Sequence, residues 1–150
     1  EHPGRIVFLG SWAGHAAHPG IPAYCAAKAG LRMLMKCLAL ELSEYRILVN
    51  EVAPGYVDAG LSGRWFERNP ADRERARTHV PIQTLISAHD VALQVAHLCD
   101  PANTQMTGSV LLMDGGLSLI TPAYGGPKRA ARKAIANNRG SRRLGKGAVK

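Results

Sequence analysis

Short apolar runs alternate with longer amphipathic segments along the first 120 residues of the chain. Three of these runs, at residues 6–9, 47–52 and 109–113, are mostly apolar and are closed by turns rich in glycine or proline. Runs of this length and composition predict β-strands. The first run, Ile-Val-Phe-Leu, has no polar position. We therefore expect it to form a strand that is buried on both faces, as in a parallel sheet.

The strongest helical pattern covers residues 22–43. Its apolar residues recur at spacings of three and four, and the segment is rich in alanine, which favours a helix. Pro22 suits the first helical turn, where its missing N–H would have had no partner. The apolar positions that define the pattern are Leu31, Leu34, Met35, Leu38 and Leu42.

The polar stretch between the second and third runs predicts two short helices, at residues 61–68 and 71–78. A further helix, at 91–98, follows Ser87 and Asp90, whose spacing is that of a helix-capping box. The order is therefore strand, helix, strand, helices, strand, with long connections between the strands. Because long crossovers join parallel strands, we expect an α/β fold with a parallel sheet.

The net charge of +8 is concentrated at one end of the chain. Residues 1–120 hold 10 Lys and Arg against 11 Asp and Glu, whereas residues 121–150 hold 9 Lys and Arg and no acidic residue. We therefore divide the chain into a folded unit, 1–120, and a basic tail of low order, 121–150. The tail lacks hydrophobic periodicity, so disorder or a loose helix near 128–136 is expected. Since no aromatic residue lies among its charges, a solvated tail is favoured over nucleic-acid binding.

The composition argues against several classes of protein. No window approaches 18 consecutive apolar residues, so no membrane span is expected, and the first residues show no signal-peptide pattern. Cys25, Cys37 and Cys99 are widely spaced, which favours free, buried or half-buried thiols and a reducing, cytoplasmic location. The six histidines have no metal-ligand spacing, so no metal site is expected. The chain begins at Glu1 rather than at Met, and we expect residues upstream of it.

Tyr24 and Lys28 are the first candidates for chemistry. Their spacing of four places both side chains on one face near the start of the long helix. The charge of Lys28 and the positive end of the helix dipole both favour an ionised phenol, which is a usable acid/base. Ser11 follows the first strand, and its hydroxyl is suited to stabilise a developing oxyanion. A packed tyrosine beside a solvated lysine is the alternative interpretation, since the spacing alone is common.

Six motifs in a fixed order make the catalytic interpretation more specific. With these motifs, and with 13 positions from Ser11 to Tyr24, residues 4–119 resemble the C-terminal half of the short-chain dehydrogenases/reductases. Among them the chain is similar to 3-oxoacyl-ACP reductases and glucose dehydrogenase-like members. The motifs are GRIVFLGSWAG at 4–14, YCAAKAG at 24–30, ILVN at 47–50, APGYV at 53–57, TGS at 107–109 and DGG at 114–116.

The resemblance implies the C-terminal, catalytic half of a Rossmann-type doubly wound sheet, with three strands and two main helices. It implies hydride transfer between NAD or NADP, which it leaves undetermined, and a small alcohol or carbonyl substrate. In that family pattern Tyr24 is the proton donor or acceptor, Lys28 holds the nicotinamide ribose, and Ser11 binds the substrate oxygen. A homo-oligomer is implied for the full-length protein.

The same resemblance assigns residues to the nicotinamide itself. Pro54, Gly55 and the backbone of Val57 are expected to line the ring, and Tyr24 and Lys28 are the other expected cofactor-binding residues. Other conspicuous residues receive structural roles, as packed or solvated positions and turn residues. These are Trp12, His15, His18, Asn50 and the Asp114-Gly115-Gly116 turn. For Trp12, His15 and His18, lining of the substrate entrance is the alternative interpretation.

Three departures from the family pattern stand out. Ala59 lies where many relatives have threonine, so a side-chain contact to the nicotinamide carboxamide is not expected, and the basic tail follows the usual end of the fold. The third departure supports a competing hypothesis: no glycine-rich phosphate loop precedes a helix in this chain. A Rossmann unit holds pyrophosphate with such a loop. The alternative is therefore a truncated, catalytically inactive member of the family, whose basic tail binds polyanions non-specifically.

Overall fold

The computed structural model describes residues 4–121, and the expectation of disorder or a loose helix near 128–136 lies outside them. Within the described residues three parallel strands form one sheet in the order β1-β2-β3. The strands are β1, Arg5–Leu9; β2, Leu48–Pro54; and β3, Val110–Met113. The predicted α/β fold with a parallel sheet is confirmed.

Between residues 4 and 121, four α-helices connect and cover these strands. The long helix begins at Pro22 as predicted and ends at Glu41, because the next four residues tighten into a 3-10 turn before Arg46 reverses the chain with a φ of 57°. The two short helices and the capped helix are also present, each within three residues of its predicted bounds. The helices are α1, Pro22–Glu41; α2, Gly60–Arg68; α3, Pro70–His79; and α4, Ala88–Cys99.

The capping box at the start of α4 is formed as predicted. The Oγ of Ser87 accepts the backbone N–H of Asp90 at 3.1 Å, and the carboxylate of Asp90 accepts the backbone N–H of Ser87 at 2.8 Å. Two N–H groups that would lack partners at the helix start are thereby paired. This local signal therefore determines where α4 begins.

The first strand is less buried than its sequence predicts. The prediction that β1 is buried on both faces is wrong, since Ile6 is 39% exposed and Leu9 is 56% exposed. Among the described strands only β2 pairs with β1, so β1 lies at the edge of the sheet that these strands form. All seven residues of β2 are buried, because it pairs with a strand on each side. Apolar composition predicts a strand, whereas its position in the sheet decides its burial.

Helix α1 packs against the central strand. Met35, Ala39 and Val49 form the centre of this contact and are at most 3% exposed. Helix α4 packs against β1 and β2 and buries Leu98 to 1% exposure. Close packing of this kind holds the carboxyl ends of β1 and β2 in a defined position.

All three cysteines are free thiols. Cys25 is half-buried as expected, but Cys37 and Cys99 are exposed, so the expectation of burial is wrong for these two. Both lie on helices, Cys37 within α1 and Cys99 at the last position of α4. No helix among residues 4–121 has the length and apolar character that crossing a membrane requires, and the same residues contain no group of three His, Cys, Asp or Glu able to hold a metal ion.

Candidate active site

An open cleft of about 510 Å³ lies where β1 and β2 end. In an open α/β sheet the carboxyl ends of the strands are the usual place for a ligand. The structure brings all of the predicted site residues to this one cleft. They are Ser11, Tyr24, Lys28, Pro54, Gly55 and Val57.

Ser11 is placed by the turn that follows β1. Its backbone is extended, and its Oγ caps the 3-10 turn Trp12–Gly14 by accepting the N–H of Ala13 at 3.2 Å. The residue is 6% exposed. The hydroxyl hydrogen has no acceptor among residues 4–121, so it is available to a ligand in the cleft.

Tyr24 and Lys28 lie side by side on the first turns of α1. The Nζ of Lys28 is 5.7 Å from the centre of the Tyr24 ring, a cation–π distance. Tyr24 is 45% exposed, and its phenolic oxygen makes no hydrogen bond within the described part of the chain. The phenol is therefore accessible to a substrate, with a cation next to it.

The ammonium of Lys28 is also anchored to β1. It donates to the carbonyl oxygen of Leu9 at 3.0 Å. An ammonium has three N–H donors, so two remain for a bound ligand. The contact holds the charge at the mouth of the cleft while leaving it able to donate.

The opposite wall is the chain that leaves β2. The N–H of Gly55 donates to the carbonyl of Met113 at 3.1 Å. A Cβ added to Gly55 would lie 2.9 Å from the Cα of Asp114, so a side chain does not fit there. Val57 pairs with Ile86 in an isolated parallel bridge, which ties this wall to the start of α4.

Some cleft residues were missed by the sequence analysis. Gly60 and Ser62 of α2 and Ala88, Val91 and Ala92 of α4 also line the cleft. The capping box predicts where α4 begins, but no local pattern indicates that its first turns line the same cleft as Ser11 and Tyr24. Their small side chains keep this wall open.

Asn50 and Asp114 have structural roles, as the sequence predicts. The Asn50 amide donates to the carbonyl of Met106 at 2.7 Å and accepts the N–H of Ser109 at 3.0 Å. Asp114 accepts the N–H groups of Gly116 and Ser118 at 2.9 and 2.8 Å. Burial acts to raise the pKa of Asp114, but the hydrogen bonds from Ser118 and Gly116 outweigh it and lower the pKa below its usual value. Both residues thus organise the loops around β3.

A second cavity, of about 660 Å³, lies between α3 and the loop that holds His18. Trp12, His18 and Tyr56 contact one another edge to face there, with ring centres 5.5 to 6.3 Å apart. Trp12 is buried, in agreement with the packed position expected for it, and His15 is exposed. Burial raises the pKa of Tyr56, so its phenol stays protonated near neutral pH.

The hydrogen bonds of His18 determine which of its nitrogens carries the proton. Its Nδ1 lies 2.7 Å from the carbonyl oxygen of Pro19, which can only accept. The neutral ring therefore accepts the O–H of Tyr56 at Nε2, 3.2 Å away. Tyr56 lies between Gly55 and Val57 but borders the second cavity instead of the cleft.

A parallel sheet with serine, tyrosine and lysine on one cleft at its strand ends is the arrangement that the sequence resemblance implies. The family model described as enoyl-(acyl carrier protein) reductase matches residues 1–118. The chain belongs to the short-chain dehydrogenase/reductase family.

Two curated relatives and one solved structure illustrate the match. The chain is 37% identical over 127 residues to the short-chain dehydrogenase RED2 of Pyricularia oryzae, covering 81% of this chain and 46% of the relative. It is 35% identical over 117 residues to the 3-oxoacyl-[acyl-carrier-protein] reductase FabG of Rickettsia prowazekii, covering 78% and 47%.

An actinorhodin polyketide ketoreductase variant with NADPH superposes with a TM-score of 0.73 at 30% identity, covering 79% of this chain and 49% of that one. The chain spans about half the length of the curated relatives it matches.

Proposed function

We propose that the protein transfers hydride between NAD or NADP and a small alcohol or carbonyl compound, with Tyr24 as the acid/base. The observation that carries this proposal is the meeting of Ser11, Tyr24 and Lys28 on one cleft. These residues come from two different elements, the turn after β1 and helix α1. Their convergence is not a consequence of sequence spacing alone.

Each of the three side chains has a role that its contacts support. In reduction, the Tyr24 O–H gives its proton to the carbonyl oxygen of the substrate, and the adjacent Lys28 charge favours the resulting phenolate. Ser11 donates its free hydroxyl hydrogen to the same oxygen, where negative charge develops. In oxidation the phenolate takes the proton back. The exposed phenol of Tyr24 is consistent with a role in proton transfer, and the buried hydroxyl of Ser11 with a fixed hydrogen bond to the substrate oxygen.

The cleft also has features that fit a nicotinamide cofactor. Gly10, Gly55 and Gly60 keep parts of its wall free of side chains, and Lys28 keeps two donors for hydroxyl groups. When bound, the cofactor supplies or accepts the hydride. Pro54, Gly55 and Val57 would border its ring, while Lys28 would hold its ribose. A structural relative with NADPH bound supports this class of cofactor.

The test is a hydride-transfer assay on the complete gene product, including any residues encoded upstream of Glu1. NADH and NADPH absorbance is followed with a panel of ketones and 3-oxoacyl thioesters. Tyr24→Phe should reduce kcat by about 10²–10⁴-fold, the usual contribution of a positioned acid/base. Cofactor binding should stay close to that of the wild type, because only one hydroxyl is removed.

Tyr45→Phe is the matched control. Tyr45 is 65% exposed and lies in the 3-10 turn after α1, away from the cleft. Its variant should keep wild-type kcat. If Tyr24→Phe retains a tenth or more of the wild-type kcat, Tyr24 is not the acid/base.

The charge distribution favours a second candidate function, non-specific binding of polyanions by the tail. Residues 121–150 hold 9 basic residues and no acidic one. A chain without residues 121–150 should lose all retention on heparin or DNA at low salt, since contacts of basic side chains with sulfate or phosphate groups supply such binding. Retention by the remaining chain would contradict this candidate.

A further inference from the structure

A buried ion pair lies against Gly10 and Ser11, two residues that line the candidate active site. Glu51, in the middle of β2, is 0% exposed. Its carboxylate accepts two hydrogen bonds from Arg32 of α1, from Nε at 2.9 Å and from Nη2 at 2.8 Å. Charged side chains are almost never buried this deeply unless they are paired. The pair is thus complete, and neither charge is left for a ligand.

Arg32 has a further contact, which points to the cleft. Its Nη2 also donates to the backbone carbonyl of Ser11 at 3.0 Å. Lys28, one helical turn earlier, donates to the carbonyl of Leu9. Two cations on one face of α1 therefore hold the carbonyls on both sides of Gly10.

Gly10 shows how closely the carboxylate approaches this segment. A Cβ added to Gly10 would overlap the carboxylate of Glu51. The N–H of Gly10 donates to the carbonyl of Val52 at 2.8 Å, so the backbone cannot move away without losing a sheet hydrogen bond. The chain from Leu9 to Ser11 is held by α1 on one side and β2 on the other.

We propose that Arg32 and Glu51 are positioning residues for Ser11. Glu51 orients the guanidinium, and the guanidinium fixes the backbone of Ser11, so that the hydroxyl points into the cleft. This inference rests on the proposed function for its catalytic consequence. A buried ion pair contributes little to stability compared with apolar residues of similar volume, so its positioning of Ser11 accounts for its presence better than stabilisation does.

The kinetic test uses the double variant Arg32→Met/Glu51→Leu in the complete gene product. No charge stays buried, so the melting temperature should stay within a few degrees of the wild type. The kcat should fall at least tenfold while the KM for cofactor changes less than twofold. Lys36→Met, an exposed lysine one turn further along α1, is the control and should keep wild-type kcat.

A double-mutant cycle separates positioning from general structural support. If Arg32 and Glu51 act through Ser11, adding their double variant to Ser11→Ala should change kcat less than twofold. If the two losses multiply, the pair acts independently of Ser11 and the proposal is overturned. Should the double variant not fold, Arg32→Lys is put through the same cycle, because lysine keeps the charge but lacks the planar fork.

A readout independent of activity distinguishes failure of this inference from failure of the proposed function. The amide of Ala13 donates to Ser11 Oγ, so its hydrogen exchange, followed by NMR on the 150-residue chain, reports the orientation of Ser11. The double variant should speed Ala13 exchange at least tenfold and leave the amide of Met35 unchanged. Unchanged Ala13 exchange would overturn the positioning role. If Ala13 exchange is faster in the double variant but the wild-type protein shows no turnover, the positioning role stands and only the proposed reaction is wrong.

Discussion

The ammonium of Lys28 lies 5.7 Å from the centre of the Tyr24 ring. The same ammonium is fixed by its hydrogen bond to the carbonyl of Leu9. The cation next to the phenol is therefore held by the strand that leads to Ser11. The hydrogen bond between Lys28 and Leu9 thus connects the surroundings of Tyr24 to the carboxyl end of β1.

Replacing Lys28 by methionine should impair both cofactor binding and turnover. It removes donors that face the cleft and the charge that favours the phenolate. The kcat/KM of Lys28→Met should therefore fall, and its KM for the cofactor should rise. Steady-state kinetics at varied cofactor concentration test this, with Lys36→Met as the charge-matched control. Wild-type values of both constants would mean that Lys28 contributes neither a donor nor a charge to the reaction.

Replacing Ser11 by alanine should raise the activation free energy by about 2–4 kcal/mol, the usual cost of losing one oxyanion donor. The substitution also removes the cap of the Trp12–Gly14 turn, which should lower the free energy of unfolding by about 1 kcal/mol. Steady-state kinetics and urea unfolding of the same preparations separate the two effects. A variant that loses stability but keeps kcat would show that Ser11 is only a cap.

Replacing Asp114 by asparagine should destabilise the protein in a pH-dependent way. Hydrogen bonds from Ser118 and Gly116 lower the pKa of Asp114 in the folded state despite its burial. A carboxylate whose pKa is lowered by folding stabilises the fold above its unfolded pKa, near 4, and this stabilisation is lost as the pH falls through the folded pKa.

The free energy of unfolding of Asp114→Asn should therefore lie about 1–2 kcal/mol below that of the wild type at pH 7. This difference in the free energy of unfolding between the variant and the wild type should be smaller at pH 3. Urea unfolding at both pH values measures it, and Glu44→Gln, at an exposed position, should show no comparable difference. An equal difference in the free energy of unfolding at pH 3 and pH 7 would show that the charge of Asp114 does not cause it.

Glycine substitutions should have opposite effects at two positions. Gly55→Ala places a Cβ 2.9 Å from the backbone of Asp114, where no flexible side chain can yield, and should cost about 1–3 kcal/mol of stability. Gly30→Ala adds a Cβ in open space within α1 and should stabilise the protein by about 0.5–1 kcal/mol. Thermal unfolding of the pair tests the prediction. Equal melting temperatures would show that the β2 and β3 ends move apart easily.

Local patterns were sufficient for most of the secondary structure. The period of three and four residues predicted α1, and the spacing of Ser87 and Asp90 predicted the start of α4. Each of these signals acts between residues at most one helical turn apart. For the same reason the proximity of Tyr24 and Lys28 could be predicted before any fold was known.

Local patterns could not predict contacts between segments that are distant in sequence. Arg32 belongs to a helix whose periodicity marks only its apolar face, and Glu51 is an acidic residue within a strand. The sequence does not indicate that they pair across 19 positions and hold Ser11. The sequence also does not predict the contact of His18 with Tyr56, which lie 38 positions apart.

The sequence by itself determined the order of strands and helices, the family and the residues with candidate chemistry, because these depend on local periodicity and on motifs. Only the tertiary structure decided that β1 lies at the edge of the sheet formed by the described strands, that small residues of α4 line the same cleft as Ser11, and that a buried ion pair contacts the turn after β1. Such features depend on which elements pack together. Packing is set by the summed contacts of the whole fold, and no segment carries that information alone.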